Sequence, residues 1–183
     1  MANRLTVIAG PTAVGKGTVV RYIAEHYPNI HLSVSATTRK PRTGEVEGEH
    51  YFFVSEQEFD RMVEAGEMLE YAVVHETNKY GTPRKPVEQA LAQGQQVILE
   101  IDIQGARQVK QAMPEAQLIF IAPPNWQELT RRLATRATES EAEQAKRLET
   151  ARLELDSQHE FDHVVVNDEV AVCAAKVVEL MQS

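Results

Sequence analysis

One short stretch does most to limit what this chain can fold into. An apolar run, RLTVIA (4–9), passes into GPTAVGKGT (10–18) and then into a helical pattern carrying Val19, Val20, Ile23 and Ala24. A strand that ends in a glycine-rich loop and feeds a helix gathers backbone N–H groups and the positive end of a helix dipole at one point, which makes a seat for phosphate. Gly10 and Gly15 bracket the turn, and Lys16 brings a charge to the outer phosphates of a nucleotide. Gly17 stands where the usual pattern has Ser or Thr. It reads as a second close approach of backbone to ligand, with Thr18 supplying the hydroxyl on the metal side. The whole loop, Gly10, Pro11, Thr12, Ala13, Val14, Gly15, Lys16, Gly17 and Thr18, is therefore expected to hold a triphosphate with Mg²⁺. Such loops serve hydrolases, kinases and scaffolds alike, so the loop alone names no acceptor.

Three more apolar runs, QQVILEID (95–102), QLIFIA (117–122) and HVVVN (163–167), alternate with helical patterns. Continuous apolar strands separated by helices predict an α/β fold with a parallel sheet covered on both faces, three layers in all. The helix after residue 102 puts Ile103, Ala106, Val109 and Ala112 on one face. The last, over 169–181, does the same with Val170, Cys173, Ala174, Val177, Val178 and Met181, so Cys173 reads as packing. Two stretches break the alternation. Residues 33–82 are richer in Thr, Tyr, Gly and Glu, with a short helix opened by a Ser55/Glu58 capping box and closed by Gly66. Residues 125–157 form two charged helical segments meeting near TRATES. A second capping box, Thr138/Glu141, opens a narrow apolar stripe of Ala142, Ala145, Leu148 and Leu155, which suits a piece resting lightly on the core.

Charge narrows the ligands. The chain's 183 residues, the size of one domain, hold 19 Lys and Arg against 27 Asp and Glu, a net −8. That balance argues against non-specific binding to nucleic acid or to an anionic membrane. An anionic ligand must then be met by a local basic cluster. SVSATTRKPRTGEVEGEHYFF (33–53) offers one: Arg39, Arg42 and Tyr51 suit a second phosphate, although a solvated charged loop fits RKPR as well. GEMLEYAVVHETNKYGT (66–82) adds Glu70, Tyr80 and Thr82. A carboxylate is the natural partner of guanine, whose Watson–Crick edge presents two adjacent donors, and adenine has no such pair. One cysteine permits no internal disulfide, and no apolar run approaches the roughly 20 residues of a membrane span. LTVIAG is too short for a signal sequence, so a soluble, cytoplasmic protein is expected.

In order along nearly the whole chain, the motifs GPTAVGKGT, SVSATTRKPR, GEHYFFVS, GEMLEYA, YGT, LEIDIQGA, FIAPP, RATE with KRL, and VVVND resemble those of guanylate kinases. The resemblance implies a P-loop core with a small inserted GMP-binding α+β region and a helical lid, and transfer of the γ-phosphoryl group of ATP to GMP or dGMP. It divides the chain into core (1–34, 83–125 and 151–183), GMP-binding region (35–82) and lid (126–150). Arg39, Arg42, Tyr51 and Tyr80 are implied to hold the GMP phosphate, and Ser35, Glu70 and Thr82 to read the guanine. Glu100 and Asp102 are implied to face the nucleotide, Asp102 also Mg²⁺. Arg132 and Asn167 are implied to serve ATP, Asn167 beside the adenine. Arg136 and Arg147 match lid arginines that, with Lys16 and Arg39, act on the transferring phosphate. ATP and GMP are the implied partners, of a monomer or small homo-oligomer.

The chain departs from the family at Ala13, Ala137 and Lys79. If position 13 is left-handed, alanine there costs about 1–2 kcal/mol. Two rivals remain: a non-catalytic guanylate-kinase-like module that binds proteins, and a kinase of another phosphorylated acceptor. The intact loop and the lid arginines oppose the first, and Glu70, Thr82 and Ser35 the second. HEFDH (159–163) spells a zinc-protease pattern, but His163 opens a strand, so the two histidines are not expected to share a helical face.

Overall fold

The computed structural model of the protein describes residues 5–74, 78–134 and 141–183. The first half runs β1 (Leu5–Ala9), α1 (Lys16–His26), β2 (Ile30–Leu32), β3 (Ala36–Thr37), β4 (Phe52–Phe53), α2 (Glu56–Glu64), β5 (Met68–Val74) and β6 (Asn78–Pro83). The second runs α3 (Arg84–Ala92), β7 (Gln96–Glu100), α4 (Ile103–Ala112), β8 (Gln117–Ala122), α5 (Trp126–Ala134), α6 (Glu141–Asp156), β9 (His163–Val166) and α7 (Val170–Gln182).

Every residue of β1 is buried, yet successive side chains leave in opposite directions. Leu5, Val7 and Ala9 join one apolar cluster and Ile8 the other; Val97 and Leu99 of β7 likewise oppose Ile98, and Leu118 and Phe120 of β8 oppose Ile119 and Ile121. A strand with two apolar faces must be covered twice. Val87 and Ala90 of α3 and Ile103, Ala106 and Val109 of α4 cover the first side. Val19, Val20 and Ile23 of α1, Leu129 of α5, Ala151 of α6 and Val177 of α7 cover the second. The sheet between them is parallel, in the order β2-β7-β1-β8-β9. Cys173 is buried within this core, and desolvation pushes its thiol up to about 11, as packing requires.

A second sheet, β4-β3-β6-β5, is mixed, with β3 and β4 parallel and the other pairs antiparallel. Among the described residues, its buried apolar cluster is Ala36, Phe59 and Met68, with Phe52, Val54, Met62 and Val63 packed against it. At about 1.5–3 kcal/mol per fully buried large apolar side chain, that cluster contributes a small fraction of what either main cluster does. The Ser55 cap is as read: its Oγ accepts from Glu58 N–H at 3.1 Å, and Gly66 follows the last turn of α2. The Thr138 cap, Ala137 and the side chains of Glu141 and Ala142 lie outside the described residues. In HEFDH, a 3₁₀ turn covers Ser157–Glu160 and His163 begins β9, so the helical turn a zinc pair needs is not formed. Among the described residues, no helix is long and apolar enough to cross a membrane.

Candidate nucleotide-binding site

Parallel strands end on the same side, and there the chain gathers Gly10 after β1, Glu100 and Asp102 at the end of β7, and Asn167 after β9. Gly10 passes so near β8 that a Cβ on it would stand 2.3 Å from the Ile121 carbonyl oxygen. Gly15 caps α1 with φ 95°, a left-handed backbone that a glycine adopts without strain. Ala13 is left-handed too, φ 65°, so the strain foreseen for it is present. A Cβ on Gly17 would meet the Glu100 carboxylate at 3.4 Å, an ordinary contact; a carboxylate of the protein is what lies closest to that position.

Lys16 folds back on the loop, donating to the carbonyls of Gly10 at 2.6 Å and Pro11 at 3.2 Å. Burial lowers its pKa, while Glu100, Glu154 and Asp102 oppose that shift. Glu100 is reached by solvent through the cleft but is surrounded by protein, and desolvation pushes its carboxyl up against the pull of Lys16 and Arg21.

Three cavities meet around this loop. One of about 510 Å³ lies over Gly15, Lys16, Gly17 and Thr18. A second, about 240 Å³, continues from it to Asn167, Asp168 and Val170. Arg132 lines both, held by Glu128 at 2.7 Å and by the Val14 carbonyl at 3.1 Å. Asn167 donates from Nδ2 to the same carbonyl at 2.9 Å, while its buried Oδ1 has no hydrogen-bond partner among the described residues. The third cavity, about 320 Å³, lies between the loop and the small sheet; Lys16, Ser35, Tyr51, Glu70, Tyr80 and Asp102 line it.

Glu70, on β5, is 5% exposed and accepts from the Thr82 hydroxyl at 2.7 Å. Desolvation pushes its carboxyl up to about 7, and Thr82 opposes the shift. Thr82 itself is fully buried, so its hydroxyl serves Glu70 in this structure. Arg39 stacks on Tyr51, 5.3 Å to the ring centroid, and donates from Nε to Tyr80 Oη at 3.2 Å. Its two Nη atoms grip Glu45 at 2.9 and 2.8 Å, and Nη1 also donates to the Lys40 carbonyl. Four of the five guanidinium donors are thus engaged, leaving one for a ligand. The arginine holds Glu45 down at about 2. Arg42 is exposed on the same turn, its N–H donating to Glu45 at 2.7 Å.

The structure therefore brings Lys16, Ser35, Tyr51, Glu70, Tyr80, Glu100 and Asp102 to one cleft and sets Arg39 behind Tyr51 and Tyr80. Arg147 lines a small cavity between α5 and α6, beside Thr130, Leu133 and Leu148, away from that cleft. Arg136 lies outside the described residues. Asp102 caps α4, one carboxylate oxygen accepting from Gly105 N–H at 2.7 Å. Lys79, the departure beside Tyr80, pairs with Asp60 of α2 and so ties β6 to that helix. Two residues were missed by reading the chain alone. Glu45 orders Arg39. Glu154, from α6, accepts the Thr12 N–H at 3.0 Å, its carboxyl pushed up by burial and opposed by that bond and by Lys16.

A sequence profile described as Guanylate kinase matches residues 2–183. The guanylate kinase of Leifsonia xyli is 62% identical over 98% of this chain and 70% of its own length, and that of Nocardia farcinica 54% over 99% and 94%. A crystal structure of guanylate kinase from Anaplasma phagocytophilum superposes with a TM-score of 0.80 at 35% identity, covering 99% of this chain and 85% of that one. A shikimate kinase from Bacteroides thetaiotaomicron, at 11% identity and TM-score 0.54 over 98% of this chain and 99% of its own, shares the fold alone. With the loop, the cleft and these matches together, the chain belongs to the guanylate kinase family.

Proposed function

We propose that the protein is an ATP:GMP phosphotransferase, forming ADP and GDP, with dGMP as a second acceptor. The observation that carries this reading is that the donor cavity and the acceptor cavity share Thr12, Lys16 and Glu100. Two nucleotides seated there point their phosphates at one ammonium group. ATP lies along the loop 10–18, and its adenine sits beside Asn167, whose Oδ1, without a hydrogen-bond partner among the described residues, suits the exocyclic amine. Arg132 backs the loop. Guanine donates two hydrogen bonds to Glu70, and Ser35 and Thr82 complete the base pocket, Thr82 through Glu70. Arg39, Arg42, Tyr51 and Tyr80 take the GMP phosphate.

A GMP phosphate oxygen attacks the γ-phosphorus as the bond to the β–γ bridging oxygen breaks, and ADP leaves. Such a transfer asks for alignment and charge neutralisation more than for covalent help, so no general base or enzyme-bound intermediate is required. The segment 126–150 acts as the lid, delivering Arg136 and Arg147 over the moving phosphate and excluding water. Residues 35–82 act as the acceptor region on a core of 1–34, 83–125 and 151–183. Mg²⁺ fits oxygen donors on the two sides of the junction: Thr18 and Asp102 would hold it, partly through water. When bound it neutralises phosphate charge. Among the described residues no group of three or more Asp, Glu, His or Cys side chains is arranged to hold a metal ion, so phosphate oxygens and water would complete its coordination. The net charge of −8 and the buried single cysteine support a cytoplasmic enzyme, monomer or small homo-oligomer, that engages neither nucleic acid nor membrane.

The test is an ADP-release assay with ATP·Mg²⁺ and GMP, dGMP, AMP, CMP or UMP. Turnover of the guanine nucleotides alone is expected. AMP used as well as GMP contradicts the assignment.

A further inference from the structure

Gly105 is the third residue of α4, with ordinary helical backbone, so nothing in its conformation calls for glycine. Alanine is the better helix former there. What excludes it is space: a Cβ on Gly105 would stand 2.6 Å from Glu70 Oε2 and 3.1 Å from its Cδ. Glu70 is 5% exposed and held from the other side by Thr82, so it has little room to swing away. One turn further along the same face, Gln108 meets the next residue of β5. Its Nε2 donates to the Tyr71 carbonyl at 2.8 Å, and its Oε1 accepts the Tyr71 N–H at 3.1 Å. β5 is the edge strand of the small sheet, and this side-chain amide closes its outer ladder as a neighbouring strand would.

We propose that this face of α4 sets the base specificity of the acceptor site: Gly105 leaves the space in which the Glu70 carboxylate stands, and Gln108 fixes the strand that carries it. Both are positioning residues, acting through Glu70. α4 also carries Asp102 at its start, so one rigid helix relates the base reader to the phosphate junction. This rests on the reading of Glu70 as the guanine acceptor.

The experiment compares wild type, Gly105→Ala and Gln108→Ala by KM for GMP, KM for ATP, the ratio of kcat/KM for GMP to that for AMP, and melting temperature. For Gly105→Ala the KM for GMP should rise and the GMP:AMP ratio fall, each by about tenfold or more, the scale of a misplaced hydrogen-bond acceptor. The KM for ATP should stay within about twofold, since the ATP loop is untouched. Gln108→Ala should move the same quantities in the same direction by a smaller factor. If Gly105→Ala loses its cooperative melt, Gln108→Ala alone decides. Equal loss of affinity for ATP and GMP, or an unchanged ratio in folded variants of a GMP-selective wild type, overturns the proposal. A wild type without preference for GMP overturns the Glu70 reading beneath it.

Discussion

The two sheets differ in what holds them together. The central strands of the five-stranded sheet, β7, β1 and β8, are buried on both faces and would be ordered by apolar contact whatever the ligand. The four-stranded sheet has two strands of only two residues each, and among the described residues the apolar cluster packed against it holds three buried side chains, Ala36, Phe59 and Met68. It is secured instead by polar contacts: Arg39 with Glu45, Lys79 with Asp60, Gln108 with Tyr71, Thr82 with Glu70. Apolar burial is insensitive to direction, whereas hydrogen bonds demand geometry. On the proposed reading, the donor nucleotide is held by the apolar-packed sheet, and discrimination between acceptors sits where a misplaced group costs a directed bond.

Substitutions can break or sharpen that contrast. Lys16→Met, on the core side, should lower kcat by about a hundred- to thousandfold, the scale of removing one preorganised charge from a transition state. The GMP:AMP preference of the residual activity should be unchanged; steady-state kinetics with both acceptors check this. Glu45→Ala, on the acceptor side, frees Arg39 and should raise the KM for GMP by about tenfold while leaving that for ATP alone, a split read from initial rates.

Glu70 links stability to pH. Folding raises its carboxyl from 4.5 to about 7, so its favourable contribution is complete below pH 4.5 and is lost as the pH rises to about 7. Glu70→Gln should therefore be more stable than wild type at pH 8, by on the order of 2 kcal/mol in denaturant unfolding, with the gap closing toward pH 5. A gap independent of pH contradicts the burial of that charge. The smallest effect belongs to Ala13→Gly. Relief of the left-handed alanine, offset by the freer unfolded chain, should stabilise by about 1 kcal/mol and raise Tm by about 2–4 °C in a scan without nucleotide.

Much of the core was legible because its signals are local. β8 was read at its observed bounds, the Ser55 cap is written in four consecutive residues, and GPTAVGKGT carries its own turn chemistry. The acceptor region was legible by its residue types but not by its wiring. Glu154 meets Thr12 across 142 positions and Gln108 meets Tyr71 across 37, and no periodicity encodes such meetings. Thr82 was read with Glu70 and Ser35 as a reader of the guanine, and the hydrogen bond by which its hydroxyl holds Glu70 was not legible. One local signal did exist: a glycine inside a helix, at 105, is a propensity loss that asks for a reason.

The claim at the centre of this account is that one buried carboxylate chooses the acceptor. Its most direct test is the ratio of kcat/KM for GMP to that for AMP, measured in wild type and in Glu70→Gln at pH 8. The account predicts a wild-type ratio of roughly 10⁴ or more, falling by about a hundredfold in the variant, because an amide cannot accept both guanine donors. A ratio that is the same in both proteins contradicts it.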